Sequence, residues 1–356
     1  MKVLVTGGAG YVGATTVRSL LAHGYEVAVY DNLSTGHREA IPGEASFIEG
    51  DVADRHLLDA ALREHRPAAV LHFAGLIEAG ESMHSPEKYF RNNSAATLTL
   101  LEAMLANAVD KLVFSSTAAL YGEPEHLPIE ETSALQPTNA YGESKLLVER
   151  ILHWFAYAHG LRYASLRYFN AAGSDGESGE CHNPESHLIP LVLQAAAGQR
   201  EYVNIYGTDY PTRDGTCIRD YIHVSDLADA HVSALHALSE HQRLIYNLGT
   251  GNGFSVREVI ECARRVTGRK FKVIETSRRP GDPAVLIASS HKIQEELGWS
   301  PQRGALEPIL SSAWEWMQQH PTGYSRHPQW LTCQDKSSLP AAAENRNPAT
   351  SISSLF

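Results

Sequence analysis

The chain has 356 residues, a net charge of −11, 43% hydrophobic and 20% charged residues, an ordinary globular balance with length for a substantial core. The acidity argues against a nucleic-acid partner, whose binding rests on neutralised phosphates, although a few arginines in a cleft can still hold a small anion. The opening Met1-Lys2-Val3-Leu4-Val5-Thr6 is not leader-like and no apolar run has bilayer length, so a cytoplasmic protein with no membrane contact is expected.

Strand-like and helix-like segments alternate from the start. Val3-Leu4-Val5 predicts a first strand, then glycines, then a helix from about Tyr11 to His23. Further strands are predicted at 26–30, 46–48, 69–73, 111–115 and 162–167, with long helices over 87–107 and 141–159. That alternation implies βαβ units, hence a Rossmann-type doubly wound parallel sheet with helices on both faces. Residues 171–186 read as an aperiodic loop, and shorter elements follow: helices near 187–198, 225–238, 255–267, 290–297 and 306–318, and strands near 202–206 and 271–274. The expected division is a dinucleotide-binding domain over 1–173, with segments near 219–240 packing back on it, and a smaller C-terminal α/β lobe over 174–325. Residues 334–356, poor in apolar residues, are expected to form a disordered tail.

Chemistry concentrates in two places. Gly7-Gly8-Ala9-Gly10-Tyr11-Val12-Gly13 follows the first strand and opens the first helix, where small residues and a free helix N-terminus suit a pyrophosphate. Asp31, ending the second strand, is placed for the adenosine ribose hydroxyls and would repel a 2′-phosphate, which favours NAD over NADP. Asp51, in Gly50-Asp51-Val52, can meet the adenine amino group, and Phe73-Ala74-Gly75 offers small residues at the fourth strand end. The second place is Tyr141-Gly142-Glu143-Ser144-Lys145, whose i, i+4 spacing puts phenol and ammonium on one helical face. A free phenol, with a pKa of about 10, is a poor base near neutrality, and a nearby cation lowers it. The hydroxyls of Ser115-Ser116-Thr117 end the fifth strand beside that pair. Taken alone, Y-x-x-x-K is also the pattern of a solvated surface pair; its company gives it weight. Cys181, Cys217, Cys262 and Cys333 form no C-x-x-C and read as isolated thiols, and the eighteen histidines show no ligand spacing, so no metal is expected.

From Lys2 to about Tyr324 the chain resembles the extended short-chain dehydrogenase/reductases, and among them the UDP-glucose (UDP-galactose) 4-epimerases. The resemblance is carried by Val5–Gly13, Tyr30-Asp31-Asn32-Leu33, His72–Gly75, Leu166–Asn170, Arg219–Val224, Tyr246–Gly249 and Arg278-Arg279-Pro280-Gly281-Asp282. It implies tightly held NAD, a Tyr141 that takes the sugar 4-hydroxyl proton as C4 is oxidised, a 4-keto sugar that turns in the site, and return of hydride to its other face. It assigns catalysis to Tyr141, Lys145 and Thr117. NAD contacts fall to Gly7, Gly10, Tyr11, Val12, Gly13, Asp31, Asn32, Asp51, Val52, Phe73, Ala74, Gly75, Asn92, Ser115, Tyr141, Lys145 and Tyr168.

For the substrate, the resemblance assigns the diphosphate to Asn170, Arg219 and Arg279, the uridine ribose to Asp282, and uracil to Asn204 and to Tyr206 at a stacking position. Thr117 and Tyr141 face the sugar, and a homodimer through helices of the first domain is implied, with 87–107 as one candidate. The chain departs from the family pattern at Ile77, where some members have a lysine near the NAD diphosphate. His187-Leu188 replaces Asn-Leu at a sugar-diphosphate contact, and Leu286 stands at the gate for the sugar's 2-substituent. A leucine there, shorter than tyrosine, would admit N-acetylated hexoses. A 4,6-dehydratase is disfavoured because Ala118-Ala119, after Thr117, cannot transfer protons. A 4-epimerase of UDP-pentose or UDP-glucuronate, and an NAD-binding sensor without turnover, are the remaining alternatives.

Overall fold

The computed structural model describes residues 1–279 and 282–324; the tail expected over 334–356 lies outside the described residues. Short β-branched runs and the helices between them build β1 (Lys2–Thr6), α1 (Tyr11–Ala22), β2 (Glu26–Asp31), β3 (Ser46–Glu49), α2 (Arg55–His65) and β4 (Ala69–His72). There follow α3 (Ala79–Ser82), α4 (Pro86–Tyr89), α5 (Ala96–Ala106), β5 (Lys111–Thr117), α6 (Ala140–His159), β6 (Arg162–Tyr168) and β7 (Asn170–Ala172). The remainder comprises α7 (Leu188–Ala196), β8 (Tyr202–Tyr206), β9 (Ile218–His223), α8 (Val224–Ala237), β10 (Arg243–Leu248) and β11 (Gly253–Ser255). It ends with α9 (Val256–Thr267), β12 (Lys272–Thr276), β13 (Val285–Leu286), α10 (His291–Leu297) and α11 (Leu306–Gln319).

Seven parallel strands form the main sheet in the order β10-β6-β5-β4-β1-β2-β3. Successive side chains of a strand leave on opposite faces, so Val3 and Val5 join a core with Val17, Leu227 and Leu235, while Leu4 joins one with Leu58, Leu100 and Leu152. The expected return of the chain to this sheet runs further than 219–240: α8 packs on α1, and β10 adds a seventh strand beside β6. A third apolar cluster, from α7, β8, α9 and α11, underlies the other lobe.

Several elements differ from expectation: β7, β9, β10, β11 and β13 fall where periodicity predicts no strand. The helix expected over 87–107 is interrupted by a π-helical stretch, Phe90–Ala95, between α4 and α5. The cause is local: Asn93 donates to Leu76 O (3.0 Å) and Ser144 Oγ (3.0 Å) and accepts from Leu76 N (2.8 Å), while Ser94 donates to Ser144 O. These bonds draw the widened turn onto α6. The strands β9 and β10, absent from the reading by periodicity, are buried through most of their length and show none of the alternation that marks a half-exposed strand.

Candidate active site

The carboxyl ends of β1, β2, β4, β5 and β6 open on one edge of the sheet, where doubly wound folds hold ligands. Gly7 takes φ 74°, and a Cβ there would stand 2.3 Å from Ala74 N; a Cβ on Gly13 would stand 2.2 Å from Gly7 O. These contacts fold the turn tightly enough to aim the N-terminus of α1 outward. Gly10 caps α1 with no side chain and its first turn holds no acidic residue, so the amides of Tyr11, Val12 and Gly13 lack intrahelical partners in a positive field.

Asp31 is buried at the end of β2 and accepts from Ala9 N and Leu33 N, both at 2.9 Å. It thus braces the glycine turn, a role its position alone does not reveal. Burial pushes its carboxyl up while the two amides pull it down. Asn32 donates to Asp51 Oδ2 (2.9 Å), which joins two residues assigned separately from sequence, with Val52 buried beside them. These features fit an anionic dinucleotide: a tight glycine turn, uncapped amides, and carboxylates at the next strand ends.

The reacting end is dry. Asn139 caps α6 by accepting from Gly142 N (2.8 Å), and a Cβ on Gly142 would stand 2.6 Å from Ala119 O. Gly142 therefore lets the start of α6, with Tyr141 in its first turn, close on the residues that follow Thr117. Burial pushes the Tyr141 phenol well up, Tyr168 adds to this, and the Thr117 hydroxyl works against it. Lys145 is 3% exposed, donates to Ser115 O (3.1 Å) and lies 5.0 Å from the Phe114 ring centroid; burial brings its ammonium down to about 8. Ser115 Oγ and Tyr168 OH share a hydrogen bond at 2.5 Å. At Gly75 a Cβ would stand 3.1 Å from Lys145 Nζ, so Phe73-Ala74-Gly75 runs directly beside the ammonium.

Asn92 is exposed on the π-helical turn; its buried neighbour Asn93, not singled out from sequence, stands with Gly75 and Ser144 around Lys145. Also missed were Ser82, which accepts from Tyr141 N (3.1 Å), and the buried Arg167–Glu149 pair behind Ser116. Arg167 lies inside a quoted motif, but nothing in its spacing names Glu149 as partner.

A cavity of about 390 Å³ adjoins this centre. Asn170, two residues beyond Tyr168, lines it, as do His187 and Leu188 at the start of α7. Asn204, Tyr206, Arg219, Arg279 and Asp282 complete the set assigned from sequence. Thr117, Tyr141 and Leu286 are not on its walls. Leu286 instead packs with Ala118, Tyr121 and Phe169, next to Thr117. Arg219 donates to Pro283 O (2.8 Å) and pairs with Asp282 at 3.4 Å, and Asn170 donates to Asp220 O (2.8 Å). Tyr206 carries the Arg279 guanidinium 3.8 Å from its ring centroid, so one face assigned to stacking on uracil holds a cation here.

One expectation is revised. The histidines show no ligand spacing in the sequence, yet Glu180, His182, Glu185 and His187 bring ligand-type atoms within 4.8 Å of one another. Their spacing matches no motif because the loop 173–187, not a helix face, assembles them. Despite desolvation, the two carboxylates hold His182 up at about 9, and the histidines hold Glu180 and Glu185 below the usual carboxylate range.

The model of the NAD dependent epimerase/dehydratase family matches residues 3–249. The chain belongs to that family. It is 53% identical over 328 residues to a UDP-glucose 4-epimerase of Halalkalibacterium halodurans, covering 91% of this chain and 98% of the relative. The structure of UDP-glucose 4-epimerase from Brucella ovis in complex with NAD superposes with a TM-score of 0.86 at 47% identity, covering 88% and 97%. That from Bifidobacterium longum, in complex with NAD+ and UDP, gives 0.87 at 38% identity, covering 91% and 100%. Ala118, the residue after Thr117, is buried against Tyr121 and Phe169 and offers no proton-transferring group, which disfavours the dehydratase alternative.

Proposed function

We propose that this chain interconverts UDP-glucose and UDP-galactose, with residues 1–173 holding NAD and residues 174–325 holding the nucleotide sugar. The single observation that carries the reading is the convergence of Lys145, Ser115 and Tyr168 at the strand ends, with the Tyr141 phenol on the Thr117 hydroxyl, beside a cavity walled by Arg219, Arg279 and Asn170. Bound NAD supplies a reversible hydride acceptor for C4. The backbone amides at the start of α1 would take its pyrophosphate, and Asp31 its adenosine ribose.

Tyr141 accepts the 4-hydroxyl proton and later returns it to the same oxygen, so no net proton leaves the site. Lys145, a cation a helical turn away, stabilises the phenolate that burial alone disfavours. Thr117 orients the 4-oxygen. Arg219 and Arg279 meet the diphosphate with forked donors, which leaves the hexose free to turn between the two half-reactions. Incubation of the purified protein with UDP-galactose without added NAD tests the reading; UDP-glucose is the expected product, and its absence from NAD-loaded protein overturns it.

Leu286 supports a wider range. It is a half-buried aliphatic side chain packed on the Ala118–Phe169 cluster, and it leaves more room than tyrosine for an N-acetyl group, so UDP-GlcNAc is a second substrate in this reading. For assembly, α5 exposes Leu98 and Leu105 at 37% and 47%, and α6 exposes Trp154 and Tyr157 at 63% and 81%. These neighbouring helices supply an apolar face suited to a second copy, and the reading is a cytoplasmic homodimer.

A further inference from the structure

The loop from Gly173 to His187 lies between the two halves of the site and is fastened to the cofactor side. Tyr11 OH donates to Gly173 O (2.6 Å), Thr15 Oγ1 lies 3.1 Å from Ser178 Oγ, and His37 Nε2 lies 2.8 Å from Cys181 O. Near its far end Ser186 donates to Glu78 Oε2 (2.7 Å), and Glu185 and His187 face the nucleotide-sugar cavity. At its centre His187 Nδ1 stands 2.8 Å from Glu180 Oε1 and 3.3 Å from Glu185 Oε1. His182 Nδ1 stands 3.4 Å from Glu180 Oε1 and 3.7 Å from Glu185 Oε2.

Two of those separations, 3.3 and 3.4 Å, equal the edges of a coordination tetrahedron, and the other two lie within about 0.5 Å of them. Bonds of about 2.0–2.2 Å to imidazole nitrogen and carboxylate oxygen put neighbouring ligands about 3.3–3.6 Å apart. Angles point the same way. Both Nδ1 atoms are buried and, among the described residues, neither has a hydrogen-bond partner, although His187 Nδ1 is only 2.8 Å from a carboxylate oxygen. An ion-pair quartet would align its N–H groups on the oxygens. The Glu180 and Glu185 side chains are 8% and 6% exposed, so two carboxylates lie side by side out of water, an arrangement that a bound cation would stabilise.

We propose that Glu180, His182, Glu185 and His187 bind one divalent transition-metal ion of the zinc type, which clamps the 173–187 loop between the cofactor turn and the nucleotide-sugar cavity. Two imidazoles with two carboxylates at this spacing suit Zn²⁺, whereas Mg²⁺ and Ca²⁺ prefer more numerous, all-oxygen ligands. With four protein ligands the site is closed, so the ion is a clip rather than a catalyst. It fixes the cavity wall formed by Glu185 and His187, and its loss loosens substrate binding more than turnover.

The test uses the full chain with NAD bound, stripped by chelator and titrated with Zn²⁺ by calorimetry and with Co²⁺ by visible absorption. One equivalent per chain, the d–d bands of four-coordinate Co²⁺, and a Tm raised by about 5 °C are expected. Metal-free protein shows a KM for UDP-galactose raised at least threefold, on the order expected for a lost outer-shell support, with kcat within twofold. His182→Asn and Glu185→Gln each weaken Zn²⁺ uptake by at least about tenfold. The absence of stoichiometric uptake by the unmodified chain overturns the proposal, as does uptake unchanged in both variants. The uptake and Co²⁺ readouts need no sugar, so they stand apart from any failure of epimerase activity.

Discussion

At the strand ends of the main sheet, ionisable groups are few and held out of water; in the adjoining cavity they crowd together and pair. On the first side burial brings Lys145 down to about 8 and holds His72 down at about 3 and His231 at about 4. On the second, Arg219 meets Asp282 and Arg279 lies on Tyr206. The contrast arises because one region is enclosed by sheet and helix, and the other is a concave wall of counter-charges. A dry half suits proton and hydride movement at carbon; a charged half suits grip on a diphosphate.

That contrast makes substitutions in the two halves fail differently. Tyr141→Phe removes the proton acceptor while keeping the ring, and kcat falls by about 10³-fold with UDP affinity unchanged, as single-turnover assays and UDP titration will read. If UDP affinity falls as well, the division between the halves is wrong. Arg219→Ala acts on the other side: loss of hydrogen bonds to a charged group raises KM by about 10–100-fold, with kcat changed far less.

The dry half also sets a pH limit. Phenolate support needs Lys145 as a cation, so kcat falls as pH rises through about 8, and the decline disappears in Lys145→Arg to the extent that this variant turns over. His72 and His231 are neutral in the fold and take up protons in the unfolded chain below its pKa of about 6.5, so stability is lost as pH falls from there towards 4. Denaturant midpoints across that window check this, and His231→Gln reduces the slope by about one proton. The smallest effect is expected at Leu286→Tyr, which lowers activity on UDP-GlcNAc relative to UDP-galactose and leaves the latter nearly unchanged; equal losses on both would remove Leu286 as a gate.

Much of the dry half was legible before any coordinates, since its parts are local. Glycine turn, strand-end carboxylate and Tyr141/Lys145 each lie within one βα unit or one helical turn, where backbone sterics and helical period dictate position. Asn93 escaped because a π-helical stretch, not an α-helix, carries it, and the i, i+4 rule no longer tells which face it occupies. Glu149 and Arg167 escaped because their pairing joins α6 to β6, and charge alone does not name a partner.

By itself, then, the sequence determined the alternating α/β architecture, the glycine-lined start of α1 and the Tyr141/Lys145 spacing, all consequences of short-range geometry. Tertiary structure alone decided which strand becomes the seventh of the main sheet, how Arg219 and Asp282 come to share a wall 63 residues apart in the chain, and that Glu180, His182, Glu185 and His187 meet at one point. Those outcomes depend on loop paths and on burial, and neither is encoded in the period of a helix or a strand.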